Sequence, residues 1–238
     1  MARILRSSIW FVGFMILTGC NDNSAIKGFW IEPKGTAVVK IDAQDFNLHV
    51  LAMDKTLTFP YELVEDGAYV LVNGDMSAPT ALELNEDNTV LTMFEKNLPL
   101  TKVKYVRPAN IEEKQLHGAW LINFDSADAD EVVFEKHIII FKPGMKFDFY
   151  GINVDEQRKI MNITTSKNKS LLLDEGFMIG YQDRSGNKNY GHYILNIEPD
   201  EVKTVYKTGR KAVFKRINFE GHFDVPEGYK IKTHESDY

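Results

Sequence analysis

Apolar and polar positions alternate in short runs along most of this chain. From Lys27 to Val106 such runs recur every 8–12 residues, with Asn, Asp, Gly or Pro between them. That spacing belongs to a β-sandwich or barrel. Eight strands are predicted, near residues 26–32, 37–42, 46–53, 57–64, 68–73, 80–85, 89–95 and 101–107. Pro33-Lys34-Gly35, Asn73-Gly74-Asp75 and Asn85-Glu86-Asp87-Asn88 supply turn chemistry between them. In Phe46-Asn47-Leu48-His49-Val50 the period of two is explicit: Phe46, Leu48 and Val50 share one face and His49 falls on the other.

The pattern then starts again. Ile26-Lys-Gly-Phe-Trp30 is echoed by Leu116-His-Gly-Ala-Trp120, and the run ending in Lys104-Tyr-Val-Arg107 by the run ending in Phe214-Lys-Arg216. Two copies of one unit are predicted, joined at Arg107-Pro-Ala-Asn-Ile-Glu112. The second copy has the longer loops, at Asp125–Glu131 and Asp183–Asn189.

Gly-x-Trp on a first strand with an Arg on the last resembles the signature of lipocalins and related small β-barrels. The resemblance rests on residues 26–30 with Arg107, and on residues 116–120 with Arg216. It implies that Trp30 and Trp120 each plug one end of a barrel, with Arg107 and Arg216 packed across them, all four in structural roles. Each unit is about half as long as a lipocalin barrel, and the acidic loop motif of that family is missing. The fold class expected is therefore all-β: two tandem antiparallel eight-stranded lipocalin-like barrels or half-barrels. Eight short strands enclose an interior that side chains can just fill, so filled cores are expected.

The first twenty residues follow a different pattern. Arg3 and Arg6 precede the apolar run Ile9 to Thr18. That run is too short to span a bilayer, which takes ~20 residues, and has the length of a signal peptide. Leu17-Thr18-Gly19-Cys20 closes it with the only cysteine of the chain. These four residues resemble the lipobox of bacterial lipoproteins. The resemblance implies cleavage before Cys20, lipid attachment at Cys20, and a membrane-anchored protein facing the periplasm. Asn21 after the cysteine departs from the usual Asp retention signal, which favours the outer membrane over the inner. The expected layout is a signal peptide over 1–19, a lipidated tether over 20–25, barrel-like units over 26–108 and 112–217, and a docked segment to about Val225 with a mobile tail within 218–238.

Charge narrows the partners. The full chain carries a net charge of −6, and removal of Arg3 and Arg6 makes the mature chain more acidic. Such a surface does not suit nucleic acid. Binding to anionic headgroups is likewise disfavoured, so the lipid on Cys20 would do the membrane work.

Catalytic signatures are missing. The sequence has no Gly-x-Ser-x-Gly, no His-Glu-x-x-His and no phosphate-cradling glycine loop. His49, His117, His137, His192, His222 and His234 are dispersed, without metal-ligand spacing. The carboxylate run Asp125 to Glu131 lacks the glycine of an EF-hand loop and reads as a solvated loop. Tyr181, Tyr190 and Tyr193 flank the second unit's long loop, as core or as a binding lip. No catalytic residue, metal or cofactor is predicted. The expectation is a non-catalytic membrane-anchored lipoprotein that binds another protein, either an immunity protein against a toxin or an accessory subunit of an envelope machine. The alternative is a lipocalin-like carrier of a small apolar ligand, which requires a cavity.

Overall fold

The computed structural model describes residues 25–35, 37–53, 55–63, 69–71, 80–95, 98–125, 135–183 and 185–236. The lipobox residues Leu17, Thr18, Gly19 and Cys20 lie outside them, as does the run from 126 to 131. No described helix is long and apolar enough to cross a membrane.

The described residues are almost entirely β, in two successive sheets. The first contains β1 (Gly28–Ile31), β2 (Ala37–Ile41), β3 (Asp45–Val50), β4 (Lys55–Leu63), β5 (Tyr69–Leu71), β6 (Thr80–Leu84), β7 (Val90–Glu95) and β8 (Leu98–Val106). Each pairs antiparallel with the next, and β8 returns to β1 at Ile31 opposite Val106, closing a barrel. A single helical turn, α1 (Glu113–Leu116), opens the second unit. It leads into β9 (Gly118–Phe124), β10 (Lys136–Lys142), β11 (Lys146–Asp155), β12 (Ile160–Asp174), β13 (Met178–Gln182), β14 (Lys188–Glu198), β15 (Glu201–Tyr206) and β16 (Lys211–Ile217). These strands also pair in sequence order, and β16 pairs back onto β9. The second sheet is curled in this way around its own core.

Both units are fastened at one end by the same device, residue for residue. Trp30 and Trp120 are fully buried. Their indole Nε1 groups donate to the carbonyls four residues earlier, Ile26 at 2.8 Å and Leu116 at 2.6 Å. Arg107 lies 4.2 Å above the first indole and Arg216 4.1 Å above the second, where the ring face attracts a cation. Arg216 donates to the carbonyls of His117, Gln115 and Pro199. Arg107 donates to those of Lys27, Ala25 and Asn88. Glycine precedes each Trp by two positions because φ there is +110° at Gly28 and +118° at Gly118, and a Cβ at Gly118 would lie 2.7 Å from Arg216 Nη1.

Two expectations are corrected. The polar end after Val225 does not stay a mobile tail: Lys230–Glu235 forms β17, a parallel neighbour of β12 from Ile160 to Thr165. Its side chains are exposed, so it is held by backbone pairing rather than by an apolar face. The second correction concerns filled cores, because the second unit encloses a cavity. Its strands are longer, with β12 running for 15 residues and β14 for 11.

The units also share apolar contacts. Ile31, Val38 and Leu51 belong to the same buried cluster as Trp120, Phe177, Val205 and Phe214. Phe29 packs on Phe177 with ring centres 5.0 Å apart.

Candidate functional site

Trp120, Ile122 and Phe124 point inward from β9 by the strand's period of two. Trp120 occupies the fastened end, so Ile122 and Phe124 mark the way toward the other end. There a cavity of about 310 Å³ opens, walled by Ile122, Phe124, Ile139, Phe147, Phe149 and Leu171 among others. Gly180 and Gly191 shape its wall. A Cβ at Gly180 would meet the Asn189 carbonyl oxygen at 2.3 Å, and one at Gly191 would meet the Tyr206 ring at 3.3 Å. Glycine at both places lets β13, β14 and β15 approach closely.

Polar groups are few and placed among aromatics. His137 stands edge-on to Phe124 at 5.1 Å and to Phe149 at 5.8 Å. His192 stands edge-on to Phe214 at 4.8 Å and tilted against Tyr206 at 4.9 Å. The His192 ring is half-buried and lines the cavity. Burial, with the nearby His137, pushes its pKa down to about 3, so the imidazole is neutral at ordinary pH. Its Nδ1 has a hydroxyl partner. Thr204 Oγ1 donates to the Ala212 carbonyl at 3.3 Å and lies 3.0 Å from His192 Nδ1.

Arg210 completes the mouth. It lies 5.4 Å from the Phe124 ring centre, and its Nε and Nη2 are buried without a hydrogen-bond partner among the described residues. Lys169 is another cation on the wall, and no carboxylate among the described residues lines it.

The residues singled out from sequence are distributed unevenly about this site. His137, His192 and Tyr181 line the cavity. Tyr190 instead donates to Asp174, and Tyr193 is buried in the core. Both Tyr190 and Tyr193 face a groove between the units, together with His49. His49 Nδ1 lies 3.1 Å from Thr56 Oγ1. His117 sits beside Glu113 at 3.2 Å. His222 and His234 are exposed. The described residues contain no group of three or more His, Cys, Asp or Glu positioned to hold a metal ion. Sequence reasoning did not single out Arg210 or Phe149. A signal for Arg210 existed: it shares the inward parity of Ala212 and Phe214 on the same run.

No family model matches the chain, and no curated protein matches it. Among solved structures, a protein of unknown function of the DUF3598 family from Nostoc punctiforme is similar at 12% identity, over 82% of this chain and 97% of that one, with a TM-score of 0.19. That likeness is too slight to transfer either a fold or a role.

Proposed function

We propose that this chain is an envelope lipoprotein, anchored through lipid on Cys20, whose second barrel carries a small apolar ligand. The observation that supports it is the cavity of about 310 Å³, walled by aliphatic and aromatic side chains and open at the end opposite Trp120. Ligand sites are typically such concave apolar spaces, with few polar groups that fix orientation, from ~300 Å³ upward. The lipocalin-like reading of both units draws on the repeated fastening of Trp30 by Arg107 and Trp120 by Arg216. The membrane anchor draws on Leu17-Thr18-Gly19-Cys20 alone. Protein binding, the other role expected from the sequence, draws nothing from this cavity.

One experiment addresses both parts. The protein is extracted from membranes of the source cells and its native mass spectrum recorded. The expected result is a chain beginning at a lipid-modified Cys20 and holding one small apolar molecule released on denaturation. A chain without adduct, or with a stoichiometric protein partner instead, would overturn the carrier reading. An unmodified Cys20 would overturn the anchor.

A further inference from the structure

We infer that the outer edge of β17 is a docking edge for another protein, and that it takes an extended segment alternating acidic and apolar side chains. The inference goes beyond the carrier reading and is independent of it. Without β17, every strand from β9 to β16 already has two neighbours. The chain nonetheless runs on past Ile217 and lays Phe219 and Phe223 against Tyr150, with ring centres 5.5 and 5.6 Å away. It then sets Lys230–Glu235 beside β12. All six side chains are exposed, so this strand adds an edge rather than a core. Lys230 N donates to the Lys159 carbonyl and Ser236 N to that of Thr165. The even-numbered residues thus turn their N–H and C=O toward β12. The two groups of one residue point the same way and alternate in direction along a strand. Ile231, Thr233 and Glu235 therefore turn theirs outward, where no described strand pairs with them. A strand added there would satisfy those groups by β-augmentation.

The two faces of β17 set the side chains of the strand that fits. Register places Ile231 beside Met161 and Thr233 beside Ile163, both of which are buried with Tyr150 and Ile152. Ile231, 49% exposed, carries that apolar strip out to the edge. Lys230, Lys232 and His234 share the opposite face. Lysine on an open edge discourages indiscriminate pairing, and here it also fixes the charge of an acceptable partner. A second copy is disfavoured. Antiparallel pairing about a two-fold axis sets even-numbered positions against even-numbered ones, and so lysine against lysine or histidine. A segment with apolar residues on the Ile231 face and Asp or Glu on the lysine face complements both.

The test uses the chain from Asn21 onward, which keeps every described residue. It is titrated with two blocked hexapeptides, one alternating Glu and Val and the other alternating Lys and Val, while NMR follows amide hydrogen exchange. The Glu peptide is expected to bind about tenfold more tightly, since it exchanges like-charge for opposite-charge neighbours. It should slow exchange at Ile231, Thr233 and Glu235 and leave Lys232 and His234, already paired to β12, unchanged. Thr233→Pro removes an outward N–H and spares the ladder to β12. It should weaken the Glu peptide about tenfold while Lys232 stays protected. Lys230→Glu combined with Lys232→Glu should reverse the preference between the peptides. Equal affinity of the wild type for both peptides, or binding of neither, would overturn the inference. So would binding that leaves Ile231, Thr233 and Glu235 exchanging freely. A dimer in sedimentation without peptide, with those three amides protected, would assign the edge to a second copy instead.

Discussion

His192 couples the cavity wall to pH. Its ring is packed against Phe214 and Tyr206 and hydrogen-bonded through Nδ1 to Thr204, with His137 close enough to disfavour a second positive charge. In the unfolded chain a histidine protonates near its ordinary ~6.5, whereas the folded ring stays neutral down to about 3. Above pH 6.5 both states are neutral and the residue contributes no pH dependence. As the pH falls from 6.5 toward 3, the unfolded state takes a proton that the folded state refuses. Stability then falls by up to ~1.4 kcal/mol per pH unit from this group. His192→Phe keeps the aromatic contacts and removes the titration. Urea unfolding of wild type and variant between pH 7.5 and 4.5 should show a shallower loss in the variant, since the carboxylates common to both cancel. Parallel slopes would mean that the folded ring protonates near its usual pKa.

At the scale of elements, the fastened end of each unit depends on a glycine, a tryptophan and an arginine acting together. Gly118 combines a φ of +118° with a close approach to Arg216 Nη1. Gly144 also has a positive φ, +79°, but nothing lies within 4 Å of its Cβ direction. Alanine at either site incurs backbone strain of ~1–3 kcal/mol, the more so at Gly118, whose φ lies further from the left-handed helical region. Only Gly118→Ala must also push aside a guanidinium that holds three carbonyls. It should therefore destabilise the second unit by more than Gly144→Ala in thermal unfolding, and the excess should shrink in an Arg216→Met background. This much was legible in the sequence, because Gly-x-Trp and its distant Arg recur and the strands of the first unit announce themselves by alternation and turn residues. Strand β17 was not legible. Lys-Ile-Lys-Thr-His-Glu has no buried face to impose a pattern, and it is a strand only because the edge of β12 from Ile160 to Thr165 is there to pair with it. The cavity was illegible for a related reason. Alternation tells which residues point inward, as for Phe124 and Arg210, but not whether those that meet across the lumen are large enough to fill it.

The two units look separable in the sequence, yet their packing makes them interdependent. Gly35 in the β1–β2 turn and Gly209 in the β15–β16 turn meet face to face, both with positive φ. A Cβ on Gly35 would lie 2.3 Å from Val205 Cγ1 and 2.6 Å from the Gly209 oxygen. Nearby, Ile111 N donates to the Gly176 carbonyl at 2.8 Å, and Phe29 of the first unit packs on Phe177 of the second. Because Ile31, Val38 and Leu51 are buried in the second unit's cluster, unfolding the first unit would expose apolar surface on the second. Each side chain so uncovered costs ~1.5–3 kcal/mol when fully exposed. The wild type should therefore melt in one calorimetric transition. Gly35→Val adds backbone strain and drives branched carbon into Val205 and the Gly209 backbone, neither of which can rotate away freely. It should split that transition in two, with the first unit melting at the lower temperature. Two transitions already present in the wild type would show that the shared contacts are too weak to couple the two units.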